Sequence, residues 1–238
     1  MEMNTITPSN KSLTDYPSSN TFSTSKINAI YDAVFRGSTE QPGFYFQDFG
    51  KQIDSKTFRQ LMVELKSGLS RICELRSDKQ LNYQWMGRFN HQHSSGFHRD
   101  SAEAHSFLML GYEPTNVDSK VFVADYSKLI ESHNVSLEAY FEGTQDINTA
   151  NNNHPISPFV TELAPFPKDH YRLLLVNNSK SFEEKTYGLF HRGEVAHKID
   201  GEDRIINSLM LHMCDKSVEE QFDSSAIMDF IHTEKVDR

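Results

Sequence analysis

His98 and Asp100 are separated by one residue in the stretch Gly96-Phe97-His98-Arg99-Asp100-Ser101. On an extended backbone such residues share a face, because side chains alternate along a strand. An imidazole and a carboxylate side by side can take two adjacent positions on one metal ion. One further histidine from a distant strand completes a 2-His-1-carboxylate set, which leaves three positions open and suits Fe(II). His-x-Asp alone is a common tripeptide whose plain reading is a solvated strand end. The chemistry therefore depends on what the rest of the chain supplies.

The second informative stretch runs from Gly188 to Ser208. Its layout is a strand ending in histidine, a tight acidic turn with Gly201, and a strand beginning at Arg204. Arg204, Ile206 and Ser208 share one face of that strand. The planar guanidinium fork matches a carboxylate bidentately. His191 and His197 compete for the third metal position, and His197 is preferred because it lies just before the turn leading to Arg204.

Together, His98-x-Asp100, His197 and Arg204 resemble the Fe(II)/2-oxoglutarate-dependent dioxygenases, over roughly residues 81–213. The resemblance implies a double-stranded β-helix, a jelly-roll or cupin-like barrel, with flanking N-terminal helices. It implies Fe(II) held by His98, Asp100 and His197. Arg204 would bind the distal carboxylate of the co-substrate 2-oxoglutarate, with Ser208 as its hydroxyl partner. O2 would be consumed, succinate and CO2 released, and a substrate hydroxylated or otherwise oxidised. The halogenating relatives carry a small residue at the carboxylate position, so Asp100 implies oxygen insertion and not chlorination. Two departures stand out. Seven residues from His197 to Arg204 is a short interval for the family, and the usual Arg-x-Ser is drawn out to Arg204-Ile205-Ile206-Asn207-Ser208.

Other residues carry weaker signals. Arg88 and Asn90 precede the metal stretch and could touch co-substrate or substrate, or end a strand in water. His91 and His93 form the His-x-His of a cupin metal site, but the glutamate and glycines such a site needs are missing or misplaced. They are expected beside the cavity or exposed. His105 reads as structural, and Tyr83 and Trp85 as core. The alternatives to the dioxygenase are a cupin-type metal dioxygenase and a non-catalytic jelly-roll binding module.

The elements that must position these residues follow from periodicity. Phe58, Leu61, Met62, Leu65, Leu69, Ile72 and Leu75 recur at steps of three or four, which predicts an amphipathic helix over 55–76 capped by Asp54 or Ser55. A shorter helix is expected at 26–36. Short strands are expected at 43–46, 81–89, 97–100, 105–112, 120–126, 171–176, 188–199 and 204–213, with turns at Gly, Asn and Pro. This order predicts a mainly β sandwich or jelly roll with helices packed outside. Residues 1–24 read as a flexible arm, too poor in apolar groups to offset ordering entropy, and 25–238 as a single domain. The Asn-rich segment 143–158 reads as a loop covering the pocket mouth.

Composition narrows the partners. The chain has 238 residues, a net charge of −9 and no stripe of Lys or Arg, so neither nucleic acid nor an anionic membrane is an expected partner. No apolar run reaches the length of a membrane span. The N-terminus lacks the apolar core of a secretory signal, and Cys73 and Cys214 make no disulfide framework, so cytoplasmic residence is expected. With no separate peptide- or DNA-binding module in the pattern, the expected partner is a small-molecule substrate such as an amino acid or natural-product intermediate.

Overall fold

The computed structural model describes residues 22–134, 155–163, 167–180 and 187–237. Most of the expected arm, and positions 143–154 of the expected covering loop, lie outside these residues. The described elements are α1 (Thr24–Val34), β1 (Phe44–Gly50), α2 (Ser55–Ser77), β2 (Lys79–Asn90), β3 (Ser106–Tyr112) and β4 (Ser119–Ala124). They continue with α3 (Tyr126–His133), β5 (Val160–Glu162), β6 (Tyr171–Asn177), β7 (Phe190–Val195), β8 (Ile205–Asp215) and α4 (Ser224–His232). The protein is thus mainly β, with four α-helices among the described residues.

The strands form two antiparallel sheets. One has the order β1-β6-β3-β8-β2 and the other β5-β4-β7. Burial follows strand parity. Phe107 and Met109 of β3, Leu173 and Leu175 of β6, and Leu209 and Leu211 of β8 face the helices. Leu108, Leu110, Tyr112, Leu174, Val176 and Met210 face Val121 and Val123 of the smaller sheet. β3 is buried along its whole length because both its faces are covered. The outer face of the smaller sheet packs Phe122 and Phe190 beneath Tyr126, Leu129 and Ile130 of α3.

Two helices, α1 and α2, form where the periodicity predicts. Asp54 caps α2 by accepting from the Thr57 amide at 2.7 Å. The α2 stripe from Phe58 to Ile72 is buried against the sheet, whereas Leu75 in the last turn is 80% exposed. Thr24, assigned to the arm, instead opens α1, whose cap Ser23 accepts from Lys26 N. The strand expected over 120–126 ends at Ala124, because Asp125 caps α3 and Tyr126 opens it, and neither α3 nor the amphipathic α4 was assigned from the sequence.

Two buried charge clusters lock the layers together. Arg36 grips Asp125 bidentately at 2.7 and 2.8 Å and donates to Tyr187 O at 2.8 Å. It ties the end of α1 to the α3 cap and to the chain entering β7. Arg59 and Arg88 share Glu113, at 3.4 and 3.0 Å, and both donate to Thr233 O beyond α4. No helix is long and apolar enough to cross a membrane among the described residues.

Candidate metal centre

After β2 ends at Asn90 the chain runs along β7. His91 N donates to Arg204 O at 3.0 Å and Ser95 N to Gly193 O at 2.9 Å. His98 and His191 then exchange both backbone hydrogen bonds, at 3.1 and 2.9 Å, as an isolated antiparallel bridge. The expected strand over 97–100 is therefore only a bridge at Phe97 and His98. This pairing sets the two imidazoles side by side, with ring centroids 4.3 Å apart. Asp100 reaches the same place from the following turn, which Asn178 fixes. The Asn178 side chain accepts from Asp100 N at 3.0 Å and donates to Asp100 O at 3.1 Å. Asn178 is fully buried and also donates to Ser106 Oγ at 3.0 Å.

His98, Asp100 and His191 each offer a ligand atom, and these atoms lie within 4.8 Å of one another. Asp100 Oδ1 is 3.3 Å from His98 Nε2 and 3.9 Å from His191 Nε2. His98 Nδ1 lies 2.8 Å from Gly96 O, so in the neutral ring its proton sits there and Nε2 presents a lone pair to Asp100. When His98 is neutral, its Nε2 lone pair and a carboxylate oxygen converge, an arrangement that a cation satisfies. Without a metal, a proton on His98 competes for that place. Hydrogen bonding to Asp100 raises the His98 pKa above its usual value. Burial, then the charge of His98, pushes His191 down to about 4, which keeps it neutral. Burial pulls Asp100 upward, but its bond to His98 and the nearby His191, His98 and Arg99 charges hold it below the ordinary carboxylate value.

The third member of the cluster is His191, not His197. β7 ends at Val195, so His197 lies past the strand on an exposed stretch, away from the bridge that aligns His98 with its partner. The change lengthens the interval to Arg204 from seven residues to thirteen.

Arg204 is 3% exposed and enters the same layer. Its Nε donates to Ser119 Oγ at 3.1 Å and its Nη1 to His91 O at 2.9 Å. A Cβ on Gly193 would sit 3.8 Å from its Nη2, so it faces the strand that carries His191. Tyr112, under its guanidinium at 5.5 Å, feels the charges of both Arg204 and Asp100. Unlike buried Arg36, Arg59, Arg88 and Arg172, Arg204 has no carboxylate partner among the described residues. Burial accordingly lowers its pKa. Arg204 also lines a cleft of about 10 Å³, no larger than one water, with Tyr112, Thr115, Ser119 and Lys168, and no member of the metal cluster lines that cleft.

The remaining candidates are placed differently. Arg88 points to the helix side, held by Asn207 at 3.1 Å and Glu113, because it pairs with Asn207 in the β2–β8 register and shares that residue's face. It is not available to a ligand beside the metal cluster. Asn90 accepts from Arg204 N at 3.0 Å and donates to Asp203, so it braces the start of β8. Ser208 faces the inner layer, and its Oγ has no hydrogen-bond partner in the structure. Four residues of strand put it about 13 Å along the backbone from Arg204. His91 and His93 are exposed and belong to no metal cluster among the described residues. Burial, then Arg204, lowers the His91 pKa. Asn178 and Tyr112 went unnoticed in the sequence, since nothing local marks either. No family model and no curated protein matches the chain.

Proposed function

We propose that the protein is a non-haem Fe(II)/2-oxoglutarate-dependent oxygenase acting on a small molecule, its two sheets forming the faces of a double-stranded β-helix. The observation that carries this reading is the convergence of His98, Asp100 and His191 on one point. The buried Arg204, which has no carboxylate partner among the described residues and faces the same strand, supports it. Two histidines and one carboxylate suit Fe(II) and leave positions for a chelating co-substrate and O2. When bound, iron with 2-oxoglutarate supplies the activation of O2, coupled to decarboxylation to succinate and CO2.

The chain's own residues do the rest. His98 and His191 donate as neutral imidazoles, the former held in the correct tautomer by Gly96 O. Asp100 supplies a negative charge that offsets part of the metal's. Arg204 receives the distal carboxylate of 2-oxoglutarate in a desolvated position, where a charge-assisted fork is strongest. Asn178 holds Asp100 in place. Met210, Ile206 and Leu110 give the layer an apolar lining that limits water near the oxidising site.

The test is turnover. Purified protein with Fe(II), ascorbate and O2 should convert 2-oxoglutarate to succinate, at least slowly, without added substrate. No succinate from protein shown to have bound iron would overturn the reading. With a substrate in hand, labelled O2 in chloride-containing buffer should add one labelled oxygen, and a chlorine isotope pattern would remove Asp100 from the ligand set.

A further inference from the structure

The metal cluster shares its layer with a wall that carries no charge. On β8, Ile206, Ser208 and Met210 face inward. Opposite them in register on β2 stand Phe89, Gly87 and Trp85. Trp85 and Phe89 are only partly buried, although both lie on this inner face. Their rings meet edge to face, with centroids 5.8 Å apart and planes at 81°. The Phe89 ring folds back over Gly87, where a Cβ would come within 2.6 Å of it. Beside that glycine lies Ser208, 2% exposed, with its Oγ unpartnered. A buried hydroxyl left unpaired costs free energy, and an inward-pointing one marks where a ligand could bond.

This wall adjoins the metal-bearing turn. Asn178, which holds Asp100, puts its Nδ2 3.7 Å from Met210 Sδ. Two residues past Asp100, Ala102 packs in the cluster that includes Trp85. Glu103 N donates to Gln84 Oε1, next to Trp85, at 3.2 Å. A molecule lying on Trp85 and Phe89 therefore sits next to the turn that presents Asp100.

We infer that Trp85, Phe89 and Ser208 form the substrate subsite, and that it takes a small neutral molecule with an aromatic ring bearing one hydroxyl. The ring lies against the Trp85–Phe89 pair, where offset or edge-to-face contact is favourable. The hydroxyl bonds to Ser208 Oγ. Trp85, Phe89 and Ser208 themselves offer nothing to offset the desolvation of a charged substrate group. Ser208 serves the substrate and not the distal carboxylate of 2-oxoglutarate, because Arg204 lies too far along the strand for both to close on one carboxylate. The oxygenase reading is needed for what happens to the bound molecule, not for its binding.

Trp85 is the single tryptophan in the chain, so protein emission reports directly on this subsite. The full-length metal-free protein would be titrated with p-cresol, toluene and cyclohexanol. p-Cresol should change the emission saturably and bind more tightly than the other two. Ser208→Ala should weaken p-cresol about tenfold, the worth of one hydrogen bond near 1.4 kcal/mol, and leave toluene as it was. The absence of a saturable response to any probe would overturn the subsite. So would equal weakening of p-cresol and toluene by Ser208→Ala, or no weakening of p-cresol. A parallel anaerobic titration with Fe(II) and 2-oxoglutarate, read by its visible absorption band, separates the two proposals. p-Cresol binding without the band sinks the oxygenase reading and keeps the subsite. The band without any probe response does the reverse.

Discussion

At the scale of residues, the proposed centre rests on three ligand atoms and one guanidinium. His191→Ala should abolish the visible band formed with Fe(II) and 2-oxoglutarate, whereas His197→Ala should leave it intact. The opposite result would return the third position to His197. Proton competition gives a sharper test. In the metal-free protein the His98 pKa is raised by Asp100, while His191 is held neutral down to about 4. As pH falls through the raised His98 value, one proton must leave for each metal that binds. Co(II) or Fe(II) affinity should therefore drop about tenfold per pH unit below that point, and not a hundredfold. A two-proton slope would show that His191 titrates in the same range. Arg204→Ala removes the partner proposed for the distal carboxylate. Truncating one side of a buried charge pair costs about 2–5 kcal/mol, so the 2-oxoglutarate requirement should rise by tens to thousands of fold. An unchanged requirement would free Arg204 from that role.

At the scale of elements, the centre exists because an irregular segment is pinned between strands of both sheets. The His98–His191 bridge supplies one edge. Asn178, just past the end of β6, supplies the other by making two hydrogen bonds to the Asp100 backbone. Partners of this kind orient ligands, and their loss typically costs about 10–100-fold in metal affinity. Asn178→Ala should show that loss in Co(II) titrations, with an altered d–d spectrum and an unchanged far-UV circular dichroism spectrum. An unaltered Co(II) spectrum would mean the turn holds its shape without Asn178. β7 contributes in another way: Gly193 lies against the Arg204 guanidinium, where a Cβ would stand in ordinary contact with it at 3.8 Å.

At the scale of the whole molecule, the helices and the larger sheet form a base on which the smaller sheet and the metal turn are built. Glu113 is a main joint of that base. It accepts from Ser55, Arg59, Arg88 and Asn207, and both arginines bind backbone carbonyls at the end of α4. Glu113→Ala would leave two buried guanidiniums without a carboxylate. Breaking a buried pair in this way costs about 3–5 kcal/mol. Urea unfolding should show that loss, while the protein that remains folded should bind metal as before, since Glu113 faces away from the centre. A loss below about 1 kcal/mol would mean that water reaches the cluster and relieves the charges.

The sequence by itself determined what alternation and periodicity can carry. The α2 stripe, the order of most strands, the shared inward face of Arg204, Ile206 and Ser208, and the pairing of His98 with Asp100 are all local patterns. It could not separate His191 from His197, because the two have the same parity along one strand direction and both precede Arg204. Only the tertiary structure decides between them. β7 ends at Val195, and the backbone bridge to His98 falls at His191. Arg88 shows the same limit in reverse: its nearness in sequence to His98 suggested a ligand role, but register with Asn207 turns it to the helix side. Asn178 is invisible locally, since its partner lies 78 residues away in the chain. Which side chains meet across sheets depends on where strands end and how they pair, and those are properties of the packed whole.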